Sequence, residues 1–149
     1  MHYIAISDTG TNGNFPPSST KWDDIKLAVI FLPVKTPNGT IIHSTHNGLI
    51  PNDSIPLAAR RAYLFKELYQ ALISIGVFCE NGCMALFDDT QVIIFSKETK
   101  EILMRGPRNT LTGLYILDLK QKIKQPNIMT ELEIPDNTFA NHVYGCRSK

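Results

Sequence analysis

The chain has 149 residues, 43% of them apolar and 19% charged, with fifteen Lys and Arg against fourteen Asp and Glu for a net charge of +1. That is one domain's length of chain, too apolar for a disordered segment, and it lacks the basic stripe that neutralises phosphates, which argues against nucleic acid as its partner. No apolar run nears the roughly 20 residues of a membrane span. Residues 1–8 carry neither the basic start nor the long apolar stretch of a signal peptide, so a soluble, cytoplasmic protein is expected.

In chain order, Tyr3-Ile4-Ala5-Ile6 reads as a short buried strand that runs into the polar turn Ser7-Asp8-Thr9-Gly10-Thr11-Asn12-Gly13. Phe15-Pro16-Pro17-Ser18-Ser19-Thr20 is a loop, because two prolines exclude a central strand. Residues 25–34 hold a second apolar run, Leu27-Ala28-Val29-Ile30-Phe31-Leu32, closed by Pro33. Pro37-Asn38-Gly39-Thr40 is the strongest hairpin signal, with Asn-Gly supplying the positive φ angles of a type I′ turn. Val34 and Lys35 form one arm of this hairpin, and Ile41 and Ile42 the other. Residues 56–70 are rich in helix formers (Ala58, Ala59, Arg60, Lys66, Glu67, Leu68), and propensity alone predicts a helix there.

Further on, Cys83-Met84-Ala85-Leu86-Phe87 and Gln91-Val92-Ile93-Ile94-Phe95 flank Asp88-Asp89-Thr90, another hairpin pattern. Residues 101–106 and 113–119 supply two more strands. Beyond Leu119 the chain turns polar and is interrupted by Pro126 and Pro135, which reads as a linker or tail over 120–149. Many short strands with regular turns predict a mainly β fold, a small barrel or sandwich.

Most chemical motifs are missing. Cys79, Cys83 and Cys146 are an odd and unevenly spaced set, unsuited to a disulfide framework. Cys79 and Cys83 with His142 and Cys146 can be drawn as a zinc set, but Cys-x3-Cys sits at the loose end of the usual spacing. Buried apolar roles are expected for Cys79 and Cys83, with no metal and no cofactor. The sequons at Asn38 and Asn52 are taken as chance matches. His2, His43, His46 and His142 have no Cys or Asp partner at a motif spacing, and Lys120, Lys122 and Lys124 read as a solvated face. Trp22 and Tyr63 read as core or interface. There is no Gly-x-Ser-x-Gly elbow and no phosphate-binding glycine loop, which disfavours serine hydrolases and nucleotide enzymes.

One triplet carries chemistry. Asp8-Thr9-Gly10 follows an apolar strand and opens a polar loop. Aspartic peptidases need a carboxylate in that setting, with Gly for close backbone approach and a Thr hydroxyl able to bond within the loop. Two such carboxylates facing one water cannot both ionise, so they share a proton; one acts as base on the water while the other donates to the scissile carbonyl. There is one such triplet, and 149 residues are too few for two lobes, so the second carboxylate must come from a two-fold homodimer.

Several blocks in order resemble the retropepsin-like proteases in polyproteins of copia-type long-terminal-repeat retrotransposons, over most of residues 4–119. Ile6-Ser7-Asp8-Thr9-Gly10-Thr11-Asn12-Gly13-Asn14-Phe15 is similar to the catalytic loop, with Thr11 where Ala is commoner. Val34-Lys35-Thr36-Pro37-Asn38-Gly39-Thr40 resembles the flap hairpin. Leu72-Ile73-Ser74, followed by residues 75–83, resembles the apolar-apolar-small block that enters a short helix. Gly106-Pro107-Arg108 and Gly113-Leu114-Tyr115 resemble the segments that close the domain.

The resemblance implies a closed barrel with one short helix, a protease domain over 1–119 and a tail over 120–149 leading to the next polyprotein segment. It implies catalysis by Asp8, a loop shaped by Thr9, Gly10 and Thr11, and a flap over the substrate at Pro37, Asn38, Gly39 and Thr40. Leu72, Ile73 and Ser74 would form a strand behind the site, with Gly76 opening the helix, and residues 61–65 a strand instead of a helix. The implied partners are a second copy and a polypeptide substrate, the element's own polyprotein, in the cytoplasm or within virus-like particles. The alternative is an inactive retropepsin-like scaffold, decayed or domesticated.

Overall fold

The short apolar runs separated by turn residues fold as strands. A computed structural model describes residues 3–120 and 127–132. In chain order its elements are β1 (Ile4–Asp8), β2 (Asp23–Leu27), β3 (Pro33–Lys35), β4 (Ile41–His43), β5 (His46–Leu49), α1 (Leu57–Arg60), β6 (Arg61–Leu64), β7 (Leu72–Ser74), α2 (Ile75–Glu80), β8 (Cys83–Phe87), β9 (Gln91–Ser96), β10 (Ile102–Pro107), β11 (Ile116–Asp118) and α3 (Ile128–Leu132). The mainly β expectation is met. The described residues hold three short helices instead of one.

Six strands pair in the order β7-β1-β11-β10-β9-β8, three in the order β2-β5-β6, and β3 with β4 as a separate hairpin. The first two sheets are joined by a seam. Asn14 and Pro17 bridge to Ala62 and Phe65 on one side, and Phe15 bridges to Leu72 on the other. Residues 14–17 thus lie between β6 and β7 as an irregular strand, which the two prolines shorten without preventing. The result is a curled half-barrel: β7 continues through residues 14–17 to β6, while β8 ends the six-strand order, paired among named strands only with β9.

Segment 56–70 contains both a helix and a strand. α1 makes a single turn, and β6 then pairs with β5 from Leu49↔Arg61 to His46↔Leu64. Ala62 and Leu64 are buried at period two, so sheet pairing outweighs the helix propensity of the alanines and charged residues. The apolar run after Leu27 departs further from expectation. Val29, Ile30 and Phe31 form an exposed bend between β2 and β3, with Val29 96% exposed.

The hairpin at 33–43 has the expected arms and a different turn. Its register is Pro33↔His43 to Lys35↔Ile41, and Gly39 N–H donates to Thr36 O at 2.9 Å while Thr36 N–H donates to Thr40 O at 2.8 Å. Among residues 36–40 only Gly39 has positive φ, +90°. Pro37 has no N–H to close a two-residue Asn38-Gly39 turn against Thr40 O, and its φ near −65° suits the first central position of a type I turn; the chain uses a type I turn followed by a left-handed glycine bulge.

The core has three parts. The main cluster gathers Ala5, Trp22, Leu64, Ile73, Phe78, Ile94 and Leu117 with their neighbours, and Cys79 and Cys83 are buried within it. His142 and Cys146 lie outside the described residues. On the other face of β8–β10, Leu86, Ile93, Phe95 and Ile102 pack with Ile128, which is fully buried. The unbroken run Val92-Ile93-Ile94-Phe95 is therefore buried on both faces, and α3 supplies part of the second cover. Within the segment read as tail, Ile128 N–H donates to Lys100 O at 2.8 Å and Ile128 and Met129 pack on this face. Ile128→Ala is expected to cost about 2–4 kcal/mol in urea unfolding, the range for an emptied aliphatic site. An exposed tail would lose nothing measurable.

Candidate active site

Asp8 ends the strand with partners on both sides. β1 pairs antiparallel with β11 (Ile6↔Ile116) and parallel with β7 (Ile6↔Leu72, Ser7↔Ile73, Asp8↔Ser74). Ser7 N–H and Ser7 Oγ donate to Tyr115 O at 2.9 and 3.1 Å. Past Asp8 the chain crosses the end of β7 and returns along its far side, where Phe15 and Leu72 exchange backbone hydrogen bonds of 2.9 and 3.1 Å. β7 is threaded between the two arms of the Asp8 loop.

Three contacts fix that loop. Gly10 N–H donates to Asp8 Oδ1 at 2.7 Å, and a Cβ on Gly10 would sit 3.2 Å from the same oxygen. Gly10 thus favours the close approach to Asp8, and its φ is not left-handed. Ser74, fully buried, donates its hydroxyl to Thr11 O at 2.7 Å, and Ser74 Oγ accepts Val77 N–H at 3.2 Å as the N-cap of α2. Ser74 N–H donates to Asn14 Oδ1 at 2.9 Å. The small residue after Leu72 and Ile73 therefore has a specific task, holding the loop and starting the helix with one hydroxyl. Thr9 is exposed, and the described bond to the Asp8 carboxylate comes from Gly10 N–H. Thr11 Oγ1 is buried without a partner.

Asn14 was not singled out by the sequence as functional. It is 1% exposed, and its Nδ2 donates to Ala59 O and Arg61 O, both at 2.8 Å. All three polar contacts reach residues 45 to 60 positions away, so no local pattern signals them. Its place beside Phe15, at the end of a polar turn, is the only hint.

The flap-like hairpin sits on the same seam. Val34 and Leu32 pack against the cluster of Phe15, Ile42 and Phe65, which Leu72 and Tyr63 also join. Phe15 meets Phe65 edge-on at 5.3 Å between ring centres. The hairpin base is thereby anchored to the residue that closes the Asp8 loop. Its tip, Pro37, Asn38, Gly39 and Thr40, is exposed, and its hydrogen bonds run within the hairpin. No described contact brings the tip to Asp8.

Segments 106–108 and 113–115 meet beside β1, where Arg108 bridges to Tyr115. The Tyr115 hydroxyl donates to Asp88 O at 2.6 Å. Burial pushes the Asp88 pKa up, but hydrogen bonds from Thr90 and Gln91 outweigh it and hold the carboxyl below its ordinary value. A lowered native pKa adds stability that is complete above the unfolded value of about 3.9 and fades as pH falls through the native one. Asp88→Asn is therefore expected to reduce stability at pH 6 and to converge on the parent in acid melts. A constant gap down to pH 2 would contradict this.

Among the described residues no group of three His, Cys, Asp or Glu could hold a metal. A cavity of about 380 Å³ opens at the start of β1, lined by Tyr3, Ile6, Trp22 and Tyr69, and another of about 410 Å³ lies on β2-β5-β6 beside Leu27, Val29 and Tyr63. Neither is lined by Asp8. No helix among the described residues is long and apolar enough to cross a membrane. No family model, curated protein or solved structure matches the chain.

Proposed function

We propose that this chain is one subunit of a retropepsin-like aspartic endopeptidase. The observation carrying this reading is the Asp8 carboxylate at the end of a doubly paired strand, oriented by Gly10 N–H, on a loop clasped around β7. A carboxylate held in this way is pre-organised for proton transfer to and from a water. Two copies related by a two-fold axis would bring two Asp8 residues to one water, and their mutual repulsion would leave one proton shared.

In this reading one carboxylate removes a proton from the water while the other donates to the scissile carbonyl oxygen. The 33–43 hairpin closes over an extended peptide and excludes bulk water. The peptide binds as an added strand, with main-chain bonds giving affinity and side-chain pockets selectivity. The substrate is a polypeptide, the polyprotein of a copia-type retrotransposon, and no cofactor takes part.

The test is incubation of the refolded chain with a peptide library at mildly acidic pH, with and without pepstatin, alongside a solution-mass measurement. Pepstatin-sensitive cleavage by a dimer is expected. A chain that stays monomeric at high concentration, or a stable dimer that cuts nothing, overturns the reading; the second outcome is that of an inert scaffold.

A further inference from the structure

We infer that Asn14 is a positioning residue for Asp8, holding the returning arm of its loop by a side-chain amide; this deepens the peptidase reading and rests on it. Asn14 is nearly fully buried, and its Nδ2 bonds to Ala59 O and Arg61 O while its Oδ1 takes Ser74 N–H. Its backbone carbonyl accepts Tyr63 N–H at 2.9 Å. The amide therefore spans the seam, joining the start of β6 to the end of β7 where Ser74 is paired with Asp8. An irregular strand broken by prolines cannot form a full ladder there, and the side chain supplies the missing donors and acceptor.

Three consequences converge on Asp8. Ser74 is held from one side by the Asn14 side-chain Oδ1 and from the other by pairing with Asp8, and its hydroxyl donates to Thr11 O. Releasing Asn14 frees Ser74 N–H, and with it the clasp on the loop that carries Gly10. Phe15, the next residue, packs under the hairpin, so the hairpin loses its fixed relation to Asp8 as well. A shift near 1 Å in a reacting group costs rate more than it costs binding.

The test compares Asn14→Ala, Asn14→Asp and Asn52→Ala. Asn52 is a control of like kind: its Nδ2 donates to Leu119 O at 3.0 Å and to Leu103 O at 3.4 Å, with no bond to the Asp8 loop or to Ser74 among those described. In folded Asn14→Ala, kcat is expected to fall by about 10- to 100-fold with KM within about twofold. Asn14→Asp should recover on the acid side, because the neutral acid accepts from Ser74 N–H and donates to one carbonyl, while Asn14→Ala shows no such recovery. Asn52→Ala should lower melting temperature and leave kcat at the parent value.

Amide hydrogen exchange provides a reading independent of activity. Asn14→Ala should speed exchange at Gly10, Thr11 and Ser74 by about tenfold or more relative to β9, and Asn52→Ala should not. If the parent cuts no peptide, the peptidase reading fails while exchange still decides whether Asn14 holds the loop. Unchanged exchange at those amides, or an equal kcat loss in Asn52→Ala, overturns the inference.

Discussion

Asp8→Asn is expected to abolish peptide cleavage, lowering kcat by about 10⁴-fold or more, the scale seen when a group that acts as a unit with its partner is removed. The amide keeps an oxygen to accept Gly10 N–H, the bond that measures 2.7 Å in the parent, so fold and dimer should survive. What is lost is the ability to take a proton from water and to share one with the opposite subunit. A homodimer turns one substitution into two, since both members of the dyad change together. Mixing gives a sharper result. If one Asn subunit disables a dimer, an equal mixture of freely exchanging parent and variant chains keeps roughly one quarter of parent activity per site, against one half for independently acting subunits. Turnover by purified Asp8→Asn, or a mixture that loses activity only in proportion to dilution, would sink the shared-dyad proposal.

What the sequence made legible here was local. The Asp8 turn, the 33–43 hairpin and the β8–β9 hairpin each consist of an apolar run and its adjoining turn, so contiguous residues suffice to place them. Asn-Gly alone predicts the wrong type for the 36–40 turn, because Pro37 before it lacks the N–H that a two-residue turn needs. Features that depend on distant partners were hidden. β6 could be placed only through resemblance, since its strand character comes from β5 and from the seam, not from its own helix-forming residues. Asn14, just past the Ser7–Gly13 turn, carries no local signal of its role because its partners lie across the fold.

The polar text after Leu119 hid Ile128, and one clue to it was available. Val92-Ile93-Ile94-Phe95 has no polar alternation, and a strand apolar on both faces needs two covers. One cover is the main core. The other had to come from somewhere in the chain, and residues 127–132 contribute to it. The exposed bend at Val29, Ile30 and Phe31 shows the converse: an apolar run alone does not ensure burial.

Gly106→Ala is expected to be the most damaging change outside the Asp8 loop, costing at least about 3–5 kcal/mol or preventing folding. A Cβ on Gly106 would overlap the Ile116 carbonyl and stand 2.9 Å from the Leu117 Cα. These are backbone atoms, so no rotamer change can relieve the clash, and β10 must part from β11. β11 is in turn the antiparallel partner of β1, with Ala5↔Leu117 and Ile6↔Ile116 in register. Displacing it shifts the strand that ends in Asp8 and weakens the bonds from Ser7 to Tyr115 O. Gly39→Ala is the matching control: its φ of +90° strains any side chain, but nothing lies within 4 Å of the added carbon. That variant should lose about 1–2 kcal/mol and keep the β1–β11 pairing intact by amide exchange. If Gly106→Ala melts within about 1 kcal/mol of the parent, the close approach of β10 to β11 cannot be what fixes the position of β1.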